Sequence, residues 1–286
     1  MHMDGPRWKK SSWGEKLRTL LGWICDGFFP RRCPICDEIL EPEEAEQKIH
    51  NVCAEKLRYV TGATCMQCGR PLDNDAREYC YDCQRLWRII TSEVASAQKL
   101  KQNQSALHRQ MGILQNEVPI SQGKAIYLYQ GPIKETMYRF KYSNKREYAD
   151  FFAEEAVRIY GGWIRRKNIQ AIVPVPMYMP KQRKRGYNQA EAFAQALGRK
   201  MNIPVDVSLV KRVKDTKPQK ELNDLERKNN LKNAFQKTES IVQYSHILVV
   251  DDIYTTGSTA MAVAEELMKT NACQIYFLSI CIGKGM

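Results

Sequence analysis

Residues 247–260, ILVVDDIYTTGSTA, constrain the fold more than any other part of the chain. The continuous apolar run Ile247 to Val250 predicts a buried strand, of the kind found in a sheet covered on both faces. Asp251 and Asp252 arrive where that strand should end. Burying two ionised carboxylates would cost several kcal/mol each, so both are expected at the crevice along the carboxyl edge of the sheet. The small residues that follow, Thr255, Thr256, Gly257, Ser258 and Thr259, open a predicted helix. Its first-turn amides have no intrahelical acceptor, and Gly257 permits close backbone approach, so the segment suits a phosphate dianion. A lone Thr-Gly-Ser-Thr reads better as a plain helix cap; the two aspartates before it reverse the preference in favour of a phosphate cradle. The pattern GxxxxGK[ST] is absent and GxGxxG follows no predicted strand, so neither a Walker loop nor a dinucleotide fingerprint is available.

The same texture extends back to Lys124. Strands are expected at Ala125 to Tyr129, Ile169 to Pro176 and Ile275 to Cys281, and helices around Ile133 to Tyr142, Tyr148 to Trp163, Tyr187 to Met201 and Ser258 to Lys269. Val/Ile runs joined by amphipathic helices indicate an α/β fold with a mainly parallel sheet.

The first third is of another kind. Six of the ten cysteines form three CxxC pairs, Cys33/Cys36, Cys65/Cys68 and Cys80/Cys83, with His50 and Cys53 between the first two. Clustering of this sort, with no signal-peptide pattern ahead of it, reads as metal ligation rather than a disulfide scaffold. Zinc takes four Cys or His ligands in a tetrahedron. Cys33, Cys36, His50 and Cys53 make one set, and Cys65, Cys68, Cys80 and Cys83 a second, four-thiolate set; the spacing also allows pairings that interleave them. Two structural zincs are therefore expected, supplying folding energy where little apolar surface can be buried. The chain divides into an N-terminal helix or tail (1–30), a double zinc-ribbon module (31–90), a connector (91–123) and the α/β domain (124–286).

The chain carries a formal charge of +12, which favours anionic partners. Much of it lies in residues 181–232, with 14 Lys or Arg against 6 Asp or Glu. Arg183, Lys184 and Arg185, and further on Lys214 and Arg227, would neutralise a pyrophosphate as a mobile loop over the crevice, or track a nucleic-acid backbone. Tyr178 and Tyr187 interleave with the first cluster and either stack on bases or pack on the sheet. No apolar stretch approaches a membrane-spanning length, so no membrane insertion is expected and the cytoplasm is the expected location.

VVDDIYTTGST resembles the 5-phosphoribosyl-1-pyrophosphate (PRPP) signature of type I phosphoribosyltransferases. The resemblance implies that Asp251 and Asp252 hold the ribose 2′ and 3′ hydroxyls, that Thr255 to Thr259 hold the 5′-phosphate, and that magnesium accompanies PRPP. Together with the CxxC pairs, YRFKY at 138–142, VPVP at 173–176, RKRGYNQAEAFA at 183–194 and the run Thr216, Gln219, Arg227, Asn230, it resembles the ComF family of bacterial DNA-uptake proteins. That likeness implies a double zinc ribbon fused to a phosphoribosyltransferase-like domain. It implies a role in natural transformation, with a competence helicase or single-stranded DNA (ssDNA) as partner. Arg185, Gly186, Asn188, Gln189, Thr216, Gln219, Arg227 and Asn230 are implied to shape the site. His50-x-x-Cys53 stands where the family often has a further CxxC. Whether PRPP is transferred to an acceptor or only bound is left open by the sequence, which marks no acceptor pocket.

Overall fold

The computed structural model describes residues 31–41, 43–44, 47–85, 88, 119–215, 231, 233–238, 243–269 and 274–283. The expected N-terminal helix and the greater part of the connector lie outside them, as do Thr216, Gln219, Arg227 and Asn230. Contacts divide the chain into two compact units, Met1–Glu55 and Lys56–Met286. The division falls inside the 31–90 stretch, so the second cysteine set packs within the same unit as the sheet.

In the first unit, Cys33 and Cys36 sit in a tight turn closed by an Arg32–Ile39 bridge, and His50 precedes the short helix α1 (Asn51–Ala54). Asp37 takes up positive φ there, a conformation that Asp tolerates better than most residues.

The second unit is built on a four-stranded parallel sheet in the order β1 (Gln122–Leu128), β6 (Gln274–Ile282), β5 (His246–Tyr254), β2 (Ala171–Pro174). The helices between them are α2 (Ile133–Tyr142), α3 (Tyr148–Arg166), α4 (Met179–Arg185), α5 (Gln189–Met201) and α6 (Ser258–Met268); a short antiparallel hairpin, β3 (Val210–Arg212) with β4 (Phe235–Lys237), precedes β5. Ile247 and Val249 join a fully buried cluster with Val263, Ala264 and Leu267 of α6. Strand alternation turns Leu248 and Val250 to the other face, where α5 packs on β2, β5 and α3. Each such side chain contributes roughly 1.5–3 kcal/mol by leaving water, which explains the continuous apolar run of β5.

The exposed edge of β1 is covered. Residues 58–60 bridge to it through Tyr59 and Tyr127, with Val60 N–H donating to the Ile126 carbonyl (2.9 Å) and Leu128 N–H to that of Arg58 (2.8 Å). Glu155 of α3 ties the pair down, accepting from Tyr59 (2.6 Å) and Tyr127 (3.0 Å), while Arg158 neutralises it at 2.7 Å. Covering an edge in this way removes a template for unwanted strand pairing.

Two features differ from expectation. The basic run after Pro176 is helical rather than a mobile loop, because Pro180 suits the first turn and Gly186, at φ +92°, closes α4 with a left-handed cap. The hairpin β3/β4 was not foreseen; three-residue strands leave no periodic signal.

Candidate functional site

β5 outruns its neighbour. Pro174, the last β2 partner, faces Val250, yet β5 continues through Asp251, Asp252, Ile253 and Tyr254 while still paired with β6. One edge of β5 therefore opens at the carboxyl end of the sheet, the usual place for a ligand crevice in such folds. The pleat sends the two aspartates to opposite faces. Asp252 meets Lys141 of α2, with Nζ 2.9 Å from Oδ2. Asp251 lies within the electrostatic reach of Arg212 on β3.

The two carboxylates are near enough to affect each other's charge. Burial, and then the charge of Asp252, push the Asp251 carboxyl up to about 8, against the pull of the Asp252 backbone N–H (2.8 Å), Lys141 and Arg212. Burial disfavours the Lys141 ammonium, but Asp252 and Asp251 outweigh it and hold its pKa above the ordinary lysine value. The result is one carboxyl that keeps its proton near neutral pH and one carboxylate, with a cation beside each, suited to a neutral diol attached to anionic groups.

Immediately beyond, Gly257 adopts φ +80° as the N-cap of α6, a position from which glycine has no side chain to cap the helix. The hydroxyls of Thr256 and Ser258 lie 2.9 Å apart at the mouth of the helix. The positive helix end, small residues and hydroxyls have the composition of an anion site.

The basic residues are distributed unequally. Arg185 stacks over the Tyr142 ring (4.9 Å) and donates to Gln189 Oε1 (2.8 Å), placing it one residue along α2 from Lys141. Arg183, Lys184 and Lys214 are exposed, and Arg227 lies outside the described residues. Asn188 caps α5 through Ala190 N–H (3.1 Å) and donates to the Val175 carbonyl (3.0 Å), so its side chain fixes the end of β2. Tyr187 is buried and donates to the Phe140 carbonyl, so it packs on α2 rather than on the sheet or on a base. Lys141 and Arg212 were not singled out as site residues. The only signals were the YRFKY block that contains the first and the basic cluster that contains the second.

Both Cys/His groups assemble. The candidate ligand atoms of Cys33, Cys36, His50 and Cys53 lie within 4.8 Å of one another, as do those of Cys65, Cys68, Cys80 and Cys83. Cys68 and Cys80 sulfurs are 3.6 Å apart, close to the roughly 3.8 Å edge of a zinc–sulfur tetrahedron. His50 turns Nδ1 to Cys36 Sγ (3.3 Å) and Nε2 to the Ile39 carbonyl (3.0 Å). An imidazole that donates from one nitrogen to a carbonyl leaves the other as a lone-pair donor, the arrangement expected of a metal-ligating histidine.

Comparisons with known proteins agree with this layout. A family model described as a double zinc ribbon domain matches residues 24–84, and one described as a phosphoribosyl transferase domain matches residues 187–284. Competence protein ComFC of Bacillus subtilis is 27% identical over 90% of this chain and 92% of its own. DNA utilization protein YhgH of Escherichia coli is 31% identical over 54% of this chain and 68% of its own. Competence protein F of Haemophilus influenzae is 43% identical over 37% of this chain, a match that spans 47% of that protein. The chain thus belongs to the ComF family, in which Cys/His metal-ligand clusters precede a phosphoribosyltransferase-like α/β domain.

Proposed function

We propose that this protein binds PRPP or a closely related ribose phosphate, with magnesium, and serves DNA uptake in natural transformation. The observation that carries the reading is the overhang of β5, which sets Asp251 and Asp252 between Lys141 and Arg212 and one turn before the N-terminal end of α6. In this reading the ribose hydroxyls donate to the two carboxylates, the 5′-phosphate occupies the loop Thr255 to Thr259, and Arg185 faces the departing or retained pyrophosphate. Lys141 would exchange its pairing with Asp252 for a ligand oxygen. The zinc-ribbon region, with 31–90 as its extent, would meet a competence helicase or ssDNA, and the cytoplasm is the proposed location. Among the described residues no helix is long and apolar enough to cross a membrane.

Calorimetric titration with Mg-PRPP tests the ligand. Saturable heat is expected for the full chain, and an Asp251→Ala/Asp252→Ala variant should bind at least tenfold more weakly, since hydrogen bonds to charged groups contribute roughly 1.5–3 kcal/mol each. No heat from the intact chain at millimolar ligand would end the proposal. Release of pyrophosphate on adding candidate acceptors would separate a transferase from a ligand-binding protein.

The metal reading has its own check. Two zinc ions per chain are expected from elemental analysis, one held by Cys33, Cys36, His50 and Cys53 and one by Cys65, Cys68, Cys80 and Cys83. His50→Ala should leave one, because a three-ligand site binds far more weakly. A value of one for the unaltered chain would remove His50 from the ligand set.

A further inference from the structure

The second cysteine cluster does not merely precede the phosphate loop; it lies against it. Cys65, Cys68, Cys80 and Cys83 form a buried group whose packing partners include Tyr254, the last residue of β5. The Tyr254 ring is held on another side by Phe277, at 5.2 Å between centroids. A Cβ added to Gly257 would lie 2.6 Å from Tyr254 Cζ and closer still to its hydroxyl, so the ring sits directly behind the turn that starts α6.

Arg70, two residues after Cys68, makes the second connection. It is buried; Nη1 pairs with Asp82, between Cys80 and Cys83, and Nη2 donates to the Thr255 carbonyl at 2.5 Å. One planar guanidinium thus joins both cysteine knuckles to the first residue of the loop. The knuckle is also fixed to the sheet, since Gly123 N–H donates to the Gln67 carbonyl at 2.6 Å, and a Cβ on Gly69 would lie 2.6 Å from the Gly123 oxygen. Four thiolates around a divalent zinc carry a net charge of −2, which Arg70 is placed to offset.

Resting on the phosphate-site reading, we propose that the metal at Cys65, Cys68, Cys80 and Cys83 and the ribose phosphate at Thr255 to Thr259 are energetically coupled, with Arg70 as the positioning residue that links them. Coupling of this kind is reciprocal: a ligand that fixes the loop must tighten the metal, and metal loss must loosen the loop.

The test uses the full chain. Equilibrium competition for zinc against a chromophoric chelator should resolve two sites, and saturating Mg-PRPP should tighten one of them by roughly fivefold or more. Arg70→Met should keep two zincs, lose that tightening and bind PRPP about tenfold more weakly; Arg70→Lys, unable to reach Asp82 and Thr255 together, should recover only part. If wild type binds PRPP and neither zinc affinity changes, or if Arg70→Met with both zincs binds PRPP as wild type does, the coupling is wrong. Should wild type bind no PRPP, the ligand reading fails by itself, and amide hydrogen exchange then decides the mechanical link. Exchange across residues 255–259 should accelerate after the four-cysteine site is emptied; unchanged exchange overturns the proposal. The wild-type measurements stand even if Arg70→Met fails to fold.

Discussion

Replacing Asp251 with Asn should make the protein more stable at alkaline pH while weakening its hold on ribose phosphate. The native Asp251 carboxyl is pushed from 3.8 to about 8 by burial and by Asp252. Below pH 4 both folded and unfolded chains carry the proton and nothing is lost. Between pH 4 and about 8 the unfolded chain ionises while the folded one does not, so this group's contribution to stability falls as pH rises; above 8 the whole cost is present. At roughly 1.4 kcal/mol per pKa unit, the advantage of Asp251→Asn over wild type should widen by an amount on the order of 4 kcal/mol between pH 5 and pH 9. Asn keeps the oxygen that accepts the Asp252 N–H, so no hydrogen bond is sacrificed. Urea denaturation of both proteins at the two pH values measures it. Parallel pH profiles would mean that Asp251 is not strained, and with that the argument for a site held at a cost in stability would go.

The same carboxyl predicts the pH dependence of binding. A ligand that needs two ionised acceptors must displace the Asp251 proton, so Mg-PRPP affinity should rise from pH 6.5 to pH 8.5 and level off above the native value near 8.

What could be read from the sequence follows from where each feature keeps its information. β5, β6 and β2 announced themselves because a strand buried on both faces must be a run of apolar residues, as Ile247 to Val250 and Ile275 to Leu278 are. α3 and α5 carried a continuous apolar stripe. By contrast, α4 is basic nearly all round and has no buried residue; it is defined by Pro180 and Gly186 at its ends rather than by any stripe. The aspartates were expected at the end of their strand, and the structure carries β5 on to Tyr254, because pairing with β6 persists after β2 has stopped. The partners that matter most to the site, Lys141 for Asp252 and Arg70 for Thr255, are tertiary and far apart in the chain. No local spacing encodes them. The cysteine sets were legible as sets, since CxxC spacing is itself the ligand geometry, but their packing was not. Nothing between Cys65 and Cys83 indicates that its back would be a tyrosine from the end of β5.

Gly257 is where that packing should have its largest single-residue effect. At φ +80° any L-residue pays a backbone cost of about 1–2 kcal/mol. Gly131, at φ +61°, carries the same kind of cost, but a Cβ there meets nothing within 4 Å. At Gly257 the added methyl would overlap the Tyr254 ring, which cannot retreat because Phe277 and the four-cysteine cluster stand behind it. Gly131→Ala should therefore cost about 1 kcal/mol and leave PRPP binding unchanged. Gly257→Ala should cost roughly 2–5 kcal/mol, since overpacking adds typically 1–3 kcal/mol to the backbone term, and should weaken PRPP binding by about a hundredfold. The loop must swing off the tyrosine to make room, which would carry its amides away from the proposed phosphate position. Denaturation midpoints and calorimetry on the two variants give the comparison directly. Equal behaviour of Gly257→Ala and Gly131→Ala would show that Tyr254 yields, and a yielding tyrosine could not transmit the state of the metal cluster to the loop.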